Sequence, residues 1–244
     1  MEQPQILSLA PSATATLTAL GLADRVVGVT AHCELDRPTV GGWLNPDYET
    51  VADLNPDLVC TSDGLQREIH DELTDRGYRV HHDEPSRLEE VLKGFRSLAA
   101  AAGNPDAGEQ LVAESRRRLD AVAEKVGSDD SPVVYCEEWS EPPMAAGNWV
   151  PDAVEAAGGR YPFVDPGDRS QEVDEETVVD ADPDHAVLHI CGTGDQVSAD
   201  RFSERGWSLN GEVHVVDDSL LNQPSPRLID GIELLAERLY PERF

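Results

Sequence analysis

Residues 49–57 read ETVADLNPD and residues 176–184 read ETVVDADPD. The two stretches agree at six of nine positions and lie 127 positions apart, from 49 to 176. Each is followed by an apolar run and a Gly-containing turn, LVCTSDG after the first and HAVLHICGTG after the second. Stacked repeats have periods of about 20–50 residues, so this period is too long for a solenoid. It suits two similar halves, each using the same helix–turn–strand unit once.

The rest of the chain supports that division. ILSLA (6–10) reads as a short buried strand ending at Pro11, with Ser12 as the cap of a helix that stops at Gly21. RVVGVT (25–30) is a second strand, followed by a polar loop through AHCELDRP to GGWLNP. Asn45-Pro46 or Asp47 starts the first repeated helix. Asn55-Pro56 ends it, because a residue before Pro avoids the helical region. DLVCTS (57–62) and YRVHHD (78–83) are strands, and 65–76 and 86–102 are helices. Strand–helix alternation of this kind predicts a parallel sheet with helices on its faces.

Residues 105–126 have no internal breaker apart from an early Gly, and Leu111, Leu119, Val122 and Val126 mark one stripe. At 1.5 Å per residue this helix spans roughly 33 Å. GSDDSP then breaks the pattern, and alternation restarts with VVYCEEW (133–139). A Pro- and Gly-rich loop follows, then a helix at 151–157, the second repeated helix, and the strand AVLHIC. A helix around 198–205, the strand EVHVVD and a helix near 227–239 complete the chain. The expected architecture is therefore α/β: a lobe over 1–103, a connecting helix over 104–127, and a second lobe over 128–244. In open α/β sheets ligands sit at the carboxyl ends of the strands. The loops aimed there are 10–12, 30–45, 61–64, 137–149, 191–194 and 218–224.

Charge narrows the partners. Among 244 residues, 48 Asp and Glu face 19 Lys and Arg, for a net charge of −29. Nucleic acid, whose phosphates need cations, is excluded as a partner. Only Lys93 and Lys125 are lysines, and the acids are dispersed along the whole chain. That pattern is expected of a protein kept soluble in very high salt, where screening removes most self-repulsion. The four cysteines, Cys33, Cys60, Cys136 and Cys191, form no C-x-x-C and imply no disulfide framework. MEQPQILSLAPS carries no leader pattern and no apolar stretch of about 18 residues occurs, so the sequence as it stands is read as cytoplasmic.

SLAPSATATLTALG, GGWLNPDYETVADLNPDLV, EWSEPPMAAGNWVPDAVEAAGG and LLNQPSPRLIDGIELLAERL, in that order, resemble one family across essentially the whole chain. It is the cobalamin-binding, helical-backbone-hinge class of ABC-importer substrate-binding proteins, whose relatives bind ferric siderophores and haem. The resemblance implies two lobes held by one rigid helix, and a ligand in the cleft between them. It implies no intrinsic cofactor, a monomer, and a Glu on each lobe that docks onto Arg residues of a membrane permease. By position these are Glu49 and Glu176, the first letters of the repeat. Either would also be favoured in a helix's first turn by the helix dipole.

The same resemblance implies a ligand surface. His32 falls where cobalamin binders place an aromatic against the corrin, and Trp43 matches a pocket Trp. Leu220, Leu221, Asn222 and Gln223 match the ligand loop before the last helix. Trp139, Asn148 and Trp149 lie on the second lobe's cleft loop. Aromatics suit the face of a corrin and Asn or Gln suit its amides. Glu138 and Ser170 depart from the pattern, standing where the family's binder has aromatics.

The sequence holds no P-loop, nucleophile elbow or H-E-x-x-H, so no catalytic residue is expected. GTGDQV (192–197) lacks the third Gly of a dinucleotide turn. His185 and His189 share one strand face but stand about 13 Å apart, too far to share a metal. His32 and Cys33 are adjacent, but one or two ligands do not make a metal site. Two alternatives remain. A haem or ferric-siderophore binder would need a cationic pocket, for which the loops supply Arg37 and Arg169. An intracellular enzyme or regulatory module on the same scaffold would need chemistry that the motifs do not supply.

Overall fold

The computed structural model describes residues 4–127 and 131–244. The chain divides into two compact units, Met1–Pro85 with Leu92–Glu114, and Ser86–Val91 with Ser115–Phe244. The expected boundary at residue 128, and the central SDD of the GSDDSP break, lie outside the described residues.

The first unit runs β1 (Ile6–Ser8), α1 (Pro11–Ala19), β2 (Val26–Val29), β3 (Gly41–Gly42), β4 (Asn45–Pro46), α2 (Tyr48–Leu54), β5 (Leu58–Ser62), α3 (Arg67–Asp75) and β6 (Val80–Asp83). α4 (Leu88–Ala101) and α5 (Pro105–Val126) follow. Its sheet is parallel, in the order β2-β1-β5-β6. Alternation divides the side chains between two faces. Ile6, Leu58 and Cys60 pack with Leu17 of α1, Leu98 and Ala99 of α4, and Ala102 just after it. Leu7, Val59 and Leu9 pack with Val51 of α2 and Ile69 and Leu73 of α3. Both faces are covered, as a parallel sheet requires.

Local chemistry differs from expectation in two places. Ser12 does not cap α1. The N-cap is Ala10 with Pro11 at the first helical position, and the carbonyl of Ser12 accepts from Thr16 Oγ1 at 2.8 Å inside the helix. Pro is pre-shaped for that position, where its missing N–H costs nothing. GGWLNP is not an open loop but a hairpin, with Gly41 facing Pro46 and Gly42 facing Asn45. Gly41 has φ +92°, and a Cβ there would press on the carbonyl oxygen of Asn45, so the tight turn requires glycine.

α5 is one continuous helix, and the division between the units falls inside it, between Glu114 and Ser115. The second unit continues with β7 (Val134–Ser140), β8 (Pro143–Ala145), α6 (Val150–Ala156), β9 (Gln171–Glu172), α7 (Glu175–Asp180), β10 (His185–Leu188), α8 (Arg201–Arg205), β11 (Glu212–Val215) and α9 (Arg227–Leu239). Its sheet has the order β11-β10-β7-β8-β9. The first three strands are parallel and the last two antiparallel, so the sheet is mixed. Tyr135, Ala186, Leu188, Val178 and Phe202 form the core on one face. α6 and α9 pack together, and Arg118 of α5 reaches Asp230 at 2.6 Å and Glu233 at 2.5 Å on α9.

The repeated nine residues occupy matching places. Asp47 caps α2 by accepting from the backbone of Glu49 and Thr50, and Asp174 caps α7 by accepting from Thr177. Val51 and Val178 are fully buried. Asn55 and Asp182 leave the helices with φ +44° and +45°, in the left-handed region that Asn and Asp tolerate. Asp57 then accepts from Gln5 N at 2.7 Å, and Asp184 accepts from Val133 N at 2.7 Å. Each carboxylate thus pins the start of the repeat's strand to the start of the strand beside it.

Candidate functional site

The carboxyl ends of β1, β2 and β5 carry the loops of the first unit that suit a ligand. Gln66 organises them. It is fully buried, its Nε2 donates to Leu9 O at 2.9 Å and Trp43 O at 2.7 Å, and its Oε1 accepts from Ser62 N at 2.8 Å. One amide therefore ties the end of β1, the β3–β4 hairpin and the end of β5 together. Nothing in the local sequence marks this role, because two of its three partners, Leu9 and Trp43, lie 57 and 23 positions away.

The hairpin turn presents Trp43 and Leu44. Trp43 is half-buried and packs with Cys33 and Leu35 against the core, while Leu44 is 51% exposed. Leu65, after β5, is 58% exposed. His32 is exposed in the preceding loop. Among the described residues five large apolar side chains are exposed: Leu44, Leu65, Trp139, Val179 and Phe244. Leu44 and Leu65 in the first unit and Trp139 in the second lie at or just after strand carboxyl ends, where open α/β sheets place their ligands. Sequence reasoning missed Leu44 and Leu65. Their signal was their position beside Trp43 and after β5.

In the second unit Trp139 stands near the end of β7, half exposed, its indole N–H donating to Glu141 O at 3.0 Å. Asn148 has φ +53° and is held by Asp168 O at 2.5 Å from its own N–H. Ser170 Oγ accepts from Gly147 N at 3.0 Å. The chains approach so closely there that a Cβ on Gly147 would collide with the backbone of 168–170. Two expected contact residues lie instead in the interior. Trp149 is 5% exposed and donates to Leu221 O at 2.7 Å, and the Leu221 side chain is fully buried. Trp149 thereby ties this loop to the segment that precedes α9. Leu220, Asn222 and Gln223 are half-buried.

Asn222 is committed to His189, accepting from its ring and donating to its carbonyl at 2.9 Å. His189 is fully buried and its Nε2 has no partner. Burial pushes its pKa down to about 4. The ring is neutral in both states above its ordinary value of about 6.5. Between there and pH 4 only the unfolded chain takes up the proton. Stability is therefore expected to fall by up to about 3 kcal/mol across that window. Urea unfolding of His189→Gln should show a shallower pH slope than the parent, and an equal slope would refute the assignment.

At the end of β7 lies a cavity of about 510 Å³, lined among others by Ser140, Glu141, Arg201, Glu204 and Arg205. Its guanidiniums are already matched. Arg201 faces Glu141 at 3.6 Å. Arg205 binds both oxygens of the buried Glu137, at 2.9 and 2.7 Å. Arg37 is occupied too, donating to the carbonyls of Val26, Asp36 and Ala23. Arg169 is exposed. Taken unit by unit, the strand-end loops expose apolar side chains, and the guanidiniums of Arg37, Arg201 and Arg205 already have partners. Glu137 is thus the buried member of an ion pair.

Glu49 and Glu176 are exposed, and among the described residues neither carboxylate has a hydrogen bond or ion pair. Free thiols occur at all four cysteines, with burial pushing those of Cys60 and Cys136 up. Among the described residues no helix is long and apolar enough to cross a membrane.

A model of the family described as periplasmic binding protein matches residues 6–208. A Bacillus subtilis protein described as an uncharacterized ABC transporter substrate-binding lipoprotein, YvrC, is 30% identical over 263 residues, covering 100% of this chain and 82% of that one. The cobalamin-binding protein of Halobacterium salinarum is 28% identical over 265 residues, covering 98% and 70% respectively. Among solved structures, the apo periplasmic heme-binding protein RhuT from Roseiflexus sp. RS-1 matches with a TM-score of 0.84 at 22% identity, covering 100% of both chains. That last likeness concerns the fold alone.

Proposed function

Because the chain belongs to the periplasmic binding protein family, we propose that it is a non-catalytic solute-binding protein whose ligand is a corrinoid, delivered to an ABC-type permease or carried in solution. The observation that carries this reading is the exposed apolar side chains at strand carboxyl ends, Leu44 and Leu65 in one unit and Trp139 in the other, beside guanidiniums that, Arg169 apart, already have partners. A corrin is a wide apolar disc fringed with amides. Trp43, Trp139, Leu44 and Leu65 offer apolar faces, and Asn148, Gln223 and His32 offer polar groups for the fringe. Leu220 and Asn222 line the loop, with Trp149 and Leu221 behind it. An anionic ferric chelate suits these loops less well, because Arg201 and Arg205 already face carboxylates and Arg37 is held by backbone carbonyls, which leaves Arg169. The cobalamin-binding relative supports the same choice.

Glu49 and Glu176 are the docking acids of this reading. Four of the six identical repeat positions have structural reasons: Thr50 and Thr177 at the caps, Val51 and Val178 in the cores, Pro56 and Pro183 buried, and Asp57 and Asp184 on the neighbouring strands. The two Glu residues sit in the first turns of their helices, where the dipole favours a carboxylate, and Arg–carboxylate pairing with a permease would use the same exposed groups.

The test is calorimetric and spectral titration in molar KCl, where a chain of charge −29 is expected to be well screened. Cyanocobalamin should bind with micromolar or tighter Kd, and Trp43→Ala should weaken it at least about tenfold, which is about 1.4 kcal/mol. Tight binding of hemin or a ferric chelate with no response to corrinoid would overturn the ligand assignment and leave the family untouched.

A further inference from the structure

His185 and His189 are too far apart along one strand to share an ion, but the sheet supplies a different partner. His185 begins β10, and Glu212 and His214 lie on β11 beside it. The parallel register places His185 opposite Glu212 and Val187 opposite His214. All three chemistry-bearing side chains therefore project from one face. Ala186 and Val213 point to the other face, into the core. The rings of His185 and His214 stack at 5.2 Å with 26° between planes, and His185 Nδ1 lies 3.0 Å from His214 Nε2. One ligand atom from each of the three residues lies within 4.8 Å of the others. This cluster sits at the amino ends of the strands, whereas the proposed corrinoid surface is built at their carboxyl ends.

We propose that His185, His214 and Glu212 form a site for one divalent transition-metal ion of the zinc class. Two imidazoles and a carboxylate favour zinc, cobalt, nickel or copper over magnesium or calcium, which take all-oxygen sites. The spacing is nearly right as it stands. Nitrogens 3.0 Å apart subtend roughly 95° at an ion about 2.05 Å from each, so opening the pair by a few tenths of an ångström gives tetrahedral geometry. The ring that now donates the shared proton must adopt its other tautomer, which moves that proton to its second nitrogen and requires no net proton release. Glu212 supplies the third ligand and, being exposed, leaves the fourth position to water. The charges acting on the two rings are Asp184, Glu212 and Arg238, a negative balance that favours a cation. The ion would cross-link the outermost strand of the sheet to its neighbour.

Metal-stripped protein in molar KCl with millimolar Mg²⁺, which occupies non-specific carboxylates, is titrated with Co²⁺. The visible spectrum is followed, and Zn²⁺ then competes. One equivalent should bind with the intense bands of a four- or five-coordinate nitrogen-containing site. Zn²⁺ should raise the Tm of the parent by a few degrees. His185→Ala and Glu212→Gln, at half-exposed and exposed positions, should keep the fold, lose at least about tenfold and several-fold in affinity respectively, and abolish or reduce the Tm shift. His214→Ala should abolish binding, and cyanocobalamin titration should be unchanged in His185→Ala. An octahedral-type spectrum, or the same affinity and Tm shift in parent and His185→Ala, overturns the proposal.

Discussion

Arg205→Ala is expected to destabilise the protein by about 3–5 kcal/mol, the largest effect of any single substitution considered for this chain. Glu137 is wholly buried in β7, where Arg205 grips both its oxygens while Tyr135 Oη and Ser140 Oγ donate at 3.0 and 2.7 Å. Removing the guanidinium leaves a buried carboxylate with only two neutral donors. Arg205 also stacks on Trp207, its central carbon 4.5 Å from the ring centre, so part of the loss is packing. Lys cannot reproduce the planar two-point grip, and Arg205→Lys should recover little. Replacing both partners with apolar residues, Glu137→Leu with Arg205→Met, should be less damaging than Arg205→Ala alone, since no charge is then stranded. Urea unfolding at fixed KCl reads these differences. A loss under about 1 kcal/mol for Arg205→Ala would mean that water reaches Glu137, and the buried-pair assignment would fall.

Gln66→Leu should cost about 3 kcal/mol and also weaken ligand binding. The substitution keeps the volume but strands three buried backbone groups, the N–H of Ser62 and the carbonyls of Leu9 and Trp43. Each such group costs about 1–3 kcal/mol when left without a partner, offset where the loop moves to admit water. Because one of the three bonds holds the hairpin, Trp43 should lose its fixed position. Trp fluorescence and the Kd for cyanocobalamin should therefore change together with stability. A stability loss with an unchanged Kd would show that the hairpin is held by its own strand pair and that Trp43 does not depend on Gln66.

Much of the architecture was legible from local signals. Each ETV helix has its own cap, buried Val, left-handed exit and Pro, so the repeated unit could be read without knowing its neighbours. The 22-residue α5 was equally plain, because it has no breaker other than an early Gly. Expectation differed from structure where two local rules competed or where pairing was remote. Pro11 displaced Ser12 as the organiser of the first helix. The hairpin at Gly41–Pro46 and the antiparallel pair β8–β9 are too short to carry a periodic pattern.

The candidate sites divide the same way. The positions of Trp43, Trp139, Glu49 and Glu176 on strand ends or helix starts follow from short-range sequence. The interior placement of Trp149, the bonds of Gln66 to Leu9 and Trp43, the Glu137–Arg205 pair and the His185–His214 stack depend on residues 23 to 72 positions apart in the chain. Amino-acid sequence alone determined the helices, the strands and their repetition, because capping, burial period and turn chemistry act over a few residues. Tertiary structure alone decided which polar groups meet and which apolar groups remain exposed, because hydrogen bonds and ion pairs act only at contact distance. Sheet order and register set those contacts.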